Sequence, residues 1–238
     1  MPFSIKFLNF VPSEKKIAYA ASIGLKEIPA EFQSICRQGM ASFKNISVRE
    51  SNAAVIVKNL TGRDVEVVLD HLFLLTPDEW LKIARRPSWL KGKYERGYIL
   101  TYFFNDRPID EIKILSKKLN LPIINLFDEN IFNHYAIGPE EFIYLFANAN
   151  FVVTHSFHGT AFSILFKRPF TIYIKENTWI DKVAERITSL LKLFALEDRM
   201  IKDKSNYEAE IDFSVSDKIL PQERLKAFRF LTNALGGF

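Results

Sequence analysis

Short apolar runs alternate with longer segments of helical spacing along this chain, and this alternation is typical of α/β proteins. Three such runs lie before residue 71 and four follow residue 97. Short buried strands separated by helices favour parallel sheets, because a parallel connection needs a crossover element. The predicted strands are 15–20, 45–48, 66–69, 98–104, 122–126, 151–153 and 171–174.

Helices are predicted where apolar residues recur at every third or fourth position, with proline near the start and glycine near the end. The predicted helices are a segment after Pro29, 51–60 with Gly62 as its stop, 78–84, 108–119, a segment opened by Gly138 and Pro139, a segment ending at Pro169, 183–194 and 222–235. The last of these is expected to bury Leu225, Phe228 and Leu231.

Two segments interrupt the pattern. Residues 72–96 are rich in Lys, Arg and Pro and are predicted to form a linker, and residues 198–216 are polar and predicted to be irregular. The linker divides the chain into two Rossmann-like lobes with parallel sheets, 1–92 with the linker and 93–238.

The segment THSFHGT at 154–160 lies between a predicted strand and a predicted helix. The first amides of a helix have no internal acceptor and the helix dipole adds positive potential, so this turn favours an anion. His158 can hold or deliver a proton near neutral pH, His155 and Ser156 add donors, and Gly159 lacks the Cβ that would keep a ligand from the backbone. In the alternative interpretation, His158 caps the helix and the hydroxyl groups satisfy local amides.

Composition narrows the functional classes. The net charge of +4 is too small to indicate a nucleic-acid partner, although it suits an anionic substrate. The single cysteine, Cys36, excludes an internal disulfide and a cysteine-based metal site. No apolar run reaches the roughly 20 residues of a membrane span, and no signal-peptide pattern opens the chain, so a cytoplasmic location is predicted.

Six sequence blocks together resemble the polysaccharide pyruvyl transferase family. The most specific is THSFHGTAFS at 154–163, followed by KRPF at 167–170. The others are IAYAASIG at 17–24, ISVRE at 46–50, VVLD at 67–70, YILTYF at 98–103 and GPEEF at 138–142. The chain departs from the family where Asp70-His71 replaces an expected Asp-Pro, which puts the local turn in doubt.

The resemblance implies two lobes similar to those of GT-B glycosyltransferases, with an N-terminal lobe that is shortened in this chain. It also implies transfer of a pyruvyl group from phosphoenolpyruvate to a saccharide, forming a cyclic ketal in exopolysaccharide or cell-surface polysaccharide biosynthesis. A shortened lobe would expose apolar surface, so self-association into a homo-oligomer is a further expectation.

The resemblance also suggests roles for individual residues. His158 would be the general acid or the phosphate partner, with the amides of Gly159 and Thr160 holding oxygens, and Arg49 would bind the anionic donor. In the alternative, Arg49 forms an ion pair with Glu50 or another carboxylate.

Further substrate-binding candidates are Ser156, Ser22 and Arg186. For Ser22 close packing, and for Arg186 a solvated position, are the alternatives. No cofactor is expected besides the donor, and no metal, because His155 and His158 lack a clear further ligand.

Two other functions remain open at this stage. A two-lobed glycosyltransferase would bind a nucleotide sugar at the same helix start, although no acidic pair for a ribose or a metal-bound diphosphate stands out. Protection of the protein by a nucleotide against heat unfolding would support it. A folded remnant without an acceptor site would act as a binding subunit, and it would show no transfer activity.

Overall fold

The computed structural model describes residues 3–104, 108–173, 181–201 and 210–236. The chain forms two compact units, and each is described by itself. The first unit comprises Met1–Leu74 and Lys218–Phe238, and the second comprises Leu75–Asp217. The sequence predicts a division at residue 92, whereas the compact units divide between Leu74 and Leu75, and the end of the chain returns to the first unit.

The first unit contains a parallel sheet of three strands in the order β1-β2-β3. Its strands are β1 (Ile17–Ala21), β2 (Asn45–Val48) and β3 (Glu66–Val67), its first helices are α1 (Phe3–Lys6), α2 (Ala30–Ala41) and α3 (Ser51–Thr61), and 3-10 turns lie at Ser13–Lys15 and His71–Leu74. Helix α3 ends as predicted, because Gly62 adopts the left-handed conformation with φ of 73°.

Helices α2 and α3 cover the middle strand of this sheet. Cys36 and Met40 of α2 and Ile56 of α3 pack in one buried cluster with Ile46 and Val48 of β2. Burial of these side chains holds the carboxyl ends of the strands in place, and the candidate residues of this unit follow those ends.

The second unit contains a parallel sheet of five strands in the order β5-β4-β6-β7-β8. The strands are β4 (Ile99–Tyr102), β5 (Ile123–Leu126), β6 (Phe151–Thr154), β7 (Phe170–Tyr173) and β8 (Met200–Ile201). The helices are α4 (Pro77–Ile83), α5 (Ile109–Leu119), α6 (Phe132–Tyr135), α7 (Pro139–Asn148), α8 (Phe157–Leu165) and α9 (Asp181–Phe194), with 3-10 turns at Gly92–Tyr94 and Glu197–Arg199. The predicted α/β fold with parallel sheets is confirmed.

Local sequence signals explain where several of these helices begin. Helix α4 opens with a capping box, in which the Thr76 hydroxyl accepts from the Glu79 amide and the Glu79 carboxylate accepts from the Thr76 amide. Helix α7 opens with Gly138 and Pro139, as predicted, and the Glu141 carboxylate accepts from the Gly138 amide at 3.3 Å.

Apolar side chains cover both faces of the second sheet. Ile112 and Leu115 of α5 pack against Ile99 and Val153 in one cluster. In a second cluster, the Phe142 ring of α7 lies with its centroid 4.7 Å from that of Phe146 and 5.7 Å from that of Phe162 on α8. The turn between β6 and α8 is therefore fixed by packing at both of its ends.

Helix α10 (Ser214–Leu235) differs from the prediction in its start and in its buried face. It begins before Pro221 because Asp212 accepts hydrogen bonds from the Ser214 amide and hydroxyl, at 2.8 and 2.9 Å. Leu225 and Phe228, predicted to be buried, are 52% and 46% exposed. The predicted stripe was therefore wrong for these two residues.

The buried face of α10 consists of Ala227, Phe230 and Ala234, which pack with Ala20 and Val68 of the first unit. A second difference concerns the segment 198–216, which was predicted to be irregular but contains β8 and the first turn of α10. The end of the predicted strand 171–174 lies outside the described residues. Among the described residues, none of the helices has both the length and the apolar character needed to cross a membrane.

Candidate functional site

The second sheet reverses its strand order beside β4. The chain passes from β4 to β5 on one side and then returns to β6 on the other side. In open α/β sheets, ligands bind outside the carboxyl ends of the strands at such a reversal. Tyr102 pairs with Thr154 in the parallel register, so the ends of β4 and β6 lie side by side and the turn 154–160 occupies the expected location.

The hydroxyl groups of this turn form a closed set of hydrogen bonds. Thr154 Oγ1 donates to the Tyr102 carbonyl at 2.7 Å and accepts from the Ser156 amide at 2.9 Å. Ser156 is the N-cap of α8, and Thr160 Oγ1 donates to the Ser156 carbonyl at 3.0 Å. These hydroxyl groups therefore satisfy local backbone groups at the helix start, as the alternative interpretation predicts.

The two amides expected to hold a ligand differ in their internal bonds. The Thr160 amide donates to the Ser156 carbonyl at 3.0 Å in an ordinary helical bond. The Gly159 amide donates to Ser156 Oγ at 3.5 Å, at the long limit of a hydrogen bond. An anion would replace the present acceptor of the Gly159 amide at a smaller cost than that of the Thr160 amide.

Gly159 has a packing role that the sequence did not show. A Cβ built at this position would lie 2.7 Å from Thr154 Oγ1 and 3.1 Å from Thr154 Cγ2. The first turn of α8 therefore approaches the end of β6 too closely for any side chain. The space that glycine leaves is taken by Thr154.

The two histidines of the turn have different environments. His155 is 5% exposed, and its ring centroid lies 4.9 Å from that of Phe103 and 5.8 Å from that of Phe104. Burial lowers the pKa of His155 below its usual value of 6.5, which favours the neutral imidazole. His158 is half-buried in the first turn of α8, with its ring 5.5 Å from that of Phe157. His158 is thus the histidine of this turn with greater access to a ligand.

In the first unit, the candidates Ser22 and Arg49 meet at a pair of buried carboxylates. Ser22 Oγ and the Ile23 amide donate to Glu50 Oε1 at 2.9 and 2.6 Å. Arg49 Nη1 donates to Asp70 Oδ2 at 2.6 Å, and Arg49 Nε lies 3.6 Å from Glu50 Oε2. The ion pair that formed the alternative interpretation of Arg49 is therefore present.

The electrostatics of this cluster limit what Arg49 can bind. The side chains of Glu50 and Asp70 are each 1% exposed, and that of Arg49 is 12% exposed. Burial, and secondly the charge of Asp70, raise the pKa of Tyr19 to about 12. Because two carboxylates face one guanidinium, an anion at Arg49 would compete with charges that are already in place.

The turn at Asp70 is built differently from the Asp-Pro pattern. Asp70 Oδ1 accepts from the Leu72 amide at 3.1 Å and lies 3.3 Å from His71 Nδ1. The carboxylate thereby starts the 3-10 turn His71–Leu74, so the turn forms without proline.

Arg186 lies on α9 in the second unit and is half-buried. The neighbouring Asn177 and Trp179 lie outside the described residues. Of the predicted site residues, the structure therefore gathers Ser156, His158, Gly159 and Thr160 in the second unit, and Ser22 with Arg49 in the first.

A polar group at the end of β5 was not predicted from the sequence. Thr101 Oγ1 donates to Asn125 Oδ1 at 2.8 Å, and Asn125 Nδ2 donates to Asp128 Oδ2 at 2.9 Å. With His134, whose pKa is lowered by burial, they line a cavity of about 200 Å³. A polar residue inside an apolar strand, Asn125, was the signal that could have revealed this group.

Comparison with known proteins gives one match to a family. The model of the family described as polysaccharide pyruvyl transferase matches residues 2–174, which include every predicted site residue except Arg186. None of the curated proteins matches this chain.

Among solved structures, the wall teichoic acid polymerase TagF is similar at a TM-score of 0.38 and 14% identity. The match covers 91% of this chain and 59% of that one, so the present chain corresponds to little more than half of that protein.

Proposed function

The chain belongs to the polysaccharide pyruvyl transferase family, and from this premise we propose that it transfers a pyruvyl group from phosphoenolpyruvate to a saccharide. The product is a cyclic ketal that bridges two hydroxyl groups of the sugar. The observation that carries the proposal is the family match over residues 2–174, which includes the turn of His158 at the carboxyl end of β6.

The reaction needs a group that supplies a proton next to the bound phosphoenolpyruvate. Carbon 3 of the enol gains a proton while a sugar hydroxyl adds to carbon 2 and loses its own proton. Phosphate then leaves carbon 2 as the second hydroxyl adds there, and its proton goes to the phosphate or to solvent. The sum is phosphoenolpyruvate plus a diol giving a ketal plus phosphate.

We assign the protonation of carbon 3, or contact with the leaving phosphate, to His158. An imidazole with a pKa near neutrality holds and releases a proton at the pH of a cell. The half-buried position of His158 supports this assignment over His155, which is 5% exposed and packed between aromatic rings. The start of α8 adds positive potential for the phosphate oxygens, and the Gly159 amide offers a donor with only a long internal bond.

We also propose Arg49 for donor binding and Ser22 for substrate binding, as the family resemblance implies. The planar guanidinium of Arg49 matches the geometry of a carboxylate or phosphate, which supports a role in donor binding. A carboxylate or phosphate bound there must outweigh the negative charges of Glu50 and Asp70. Ser156, Thr160 and Arg186 complete the proposed substrate-binding set. Cytoplasmic location, self-association and the absence of a further cofactor remain parts of the proposal.

Calorimetric titration with phosphoenolpyruvate tests the donor site. The parent chain should bind, and His158→Ala and Arg49→Lys should each weaken binding about tenfold or more, since charged hydrogen bonds contribute about 1.5–3 kcal/mol. Arg49→Lys keeps the charge beside Asp70 and removes only the planar fork. Arg85→Ala is the matched control, because its side chain is 67% exposed and pairs with Glu140.

The folded state of each variant is verified by circular dichroism before titration. A folded parent that does not bind phosphoenolpyruvate would overturn the proposal. Binding that survives both substitutions would move the donor site away from these residues and leave the family-level activity to be tested by phosphate release with candidate sugars.

A further inference from the structure

Three aromatic side chains form a cluster at the carboxyl ends of β4 and β5. The ring centroids of Tyr102 and Phe104 lie 5.1 Å apart, those of Tyr102 and Phe127 lie 5.4 Å apart, and those of Phe104 and Phe127 lie 6.1 Å apart. Tyr102 is only 8% exposed, whereas Phe104 is 58% and Phe127 is 42% exposed. We call these three residues the aromatic platform: a buried ring that supports two exposed ones.

The two exposed rings are held in a fixed arrangement. The planes of Phe104 and Phe127 are 27° apart, so the two rings are nearly parallel. Both pack on Tyr102, which also contacts the rings of Phe142 and Phe146 in the core of the unit. A surface that is ordered before binding loses less entropy when a ligand arrives.

Phe127 adopts a backbone conformation that is uncommon for a bulky residue. Its φ is 63°, in the left-handed region where a bulky side chain is an outlier. The Phe127 amide donates to the His134 carbonyl at 3.3 Å, which holds the backbone in this state. Strained conformations of this kind cluster at sites of binding and catalysis, and here the strain places a phenyl ring at the surface.

The platform lies at the same edge of the sheet as the turn of His158. Tyr102 pairs with Leu126 on one side and with Thr154 on the other, so the ends of β5, β4 and β6 are level. The Phe104 ring lies 5.8 Å from the ring of His155, inside that turn. A ligand on the platform is therefore next to the candidate site within the same unit.

The chemistry of the platform excludes the donor and fits a sugar. The face of an aromatic ring carries the negative end of a quadrupole, so it repels the charged groups of phosphoenolpyruvate and attracts polarised C–H groups. A pyranose presents such C–H groups on its flat face and hydroxyl groups around its edge. Asp128 and Asn130 follow Phe127 closely in the chain, and the Asn130 amide donates to Asp128 Oδ1 at 3.1 Å.

We propose that the aromatic platform is the subsite for the acceptor saccharide, with one sugar ring stacked on Phe104 and Phe127. This inference rests on the proposed function, because it names the acceptor that pyruvyl transfer requires. It predicts binding of a neutral sugar that does not depend on the donor residues. The stacked ring would present its hydroxyl edge toward the turn at the end of β6.

Saturation-transfer NMR with methyl β-D-galactopyranoside and methyl β-D-glucopyranoside as probes tests this subsite. The parent chain should give transfer to the ring C–H protons of at least one probe. Phe104→Ala and Phe127→Asn should raise the Kd about two- to tenfold, and Phe104→Tyr, which keeps the ring, should not. Asn tolerates the left-handed conformation, so Phe127→Asn removes the ring without disturbing the backbone.

The control Phe228→Ala removes a phenyl ring that is 46% exposed in the first unit, and it should leave the signal unchanged. No transfer from the parent to either probe, or transfer that persists in both platform variants, would overturn the inference. Uridine serves as a third probe. If uridine is the only probe whose binding depends on Phe104, the platform is a base-stacking site and not a sugar subsite.

Calorimetry with phosphoenolpyruvate on the same platform variants separates this inference from the proposed function. Donor binding that is retained while sugar binding is lost supports both. If the parent binds no donor but the sugar signal still depends on the platform, the subsite stands and the transfer reaction fails. If the parent binds the donor and the sugar signal ignores the platform, the subsite alone fails.

Discussion

Replacing Gly159 by alanine tests the close packing of α8 on β6. The added Cβ would lie 2.7 Å from Thr154 Oγ1, 3.1 Å from Cγ2 and 3.2 Å from Cβ of the same residue. Thr154 cannot move away cheaply, because its hydroxyl is bonded to the Tyr102 carbonyl and the Ser156 amide. The substitution therefore strains both the strand pairing and the turn.

The size of the effect follows from two costs and one opposing gain. Overpacking in a well-packed interior costs about 1–3 kcal/mol. Weakening the two hydrogen bonds of Thr154 adds about 0.5–1.5 kcal/mol for each bond that is lost. Alanine is a better helix former than glycine by about 1 kcal/mol, which acts in the other direction. We expect Gly159→Ala to lower the free energy of unfolding by about 1–3 kcal/mol.

A double-mutant cycle with Thr154→Ala identifies the cause. Thr154→Ala removes Oγ1 and Cγ2. In this background the cost of Gly159→Ala should fall by at least about 1 kcal/mol, so the two changes should be coupled. Urea unfolding followed by tryptophan fluorescence is a suitable assay, since Trp80 and Trp89 belong to the second unit. A Gly159→Ala variant as stable as the parent, or an equal cost in both backgrounds, would refute the reasoning.

Three further predictions concern buried ionisable groups. Arg49→Ala should lower the free energy of unfolding by about 3–5 kcal/mol, because Asp70 and Glu50 would remain buried without their cation; an unchanged urea midpoint would contradict it. The raised pKa of Tyr19 contributes stability that is complete below pH 10 and is lost as the pH rises toward about 12, so Tyr19→Phe should lessen the alkaline loss in thermal melts. The lowered pKa of His155 contributes stability that is present above pH 6.5 and lost as the pH falls below it, so His155→Gln should make the acid side of the stability profile shallower, and an unaltered profile would count against the burial.

Features with a local cause were well predicted from the sequence. Gly62 ends α3 because only the residue's own conformational freedom is needed, and Gly138-Pro139 opens α7 for the same kind of reason. The parallel strands were predicted from short apolar runs, because the apolar side chains of each run indicate by themselves that the run is buried. These signals need no knowledge of which elements become neighbours.

Features that depend on tertiary contacts were predicted poorly. Pro221 suggested that the last helix begins after it, yet the capping by Asp212 and the packing of Phe230 outweigh the bond that proline removes. The engagement of Arg49 by Asp70 depends on the register between neighbouring strands, which the sequence of either strand alone does not contain. The exposure of Phe127 likewise depends on its left-handed backbone conformation, which the sequence does not predict because the position holds neither glycine nor asparagine.

The return of the chain's last segment to the first unit has a consequence for synthesis on the ribosome. Ala20 and Val68 emerge before the second unit, but their partners Ala227 and Phe230 emerge only after it. The second unit, encoded between them, has its complete sequence available sooner. Domains fold as units during synthesis, so we expect the first unit to complete its core after the second, with its apolar surface open to chaperones in the interval.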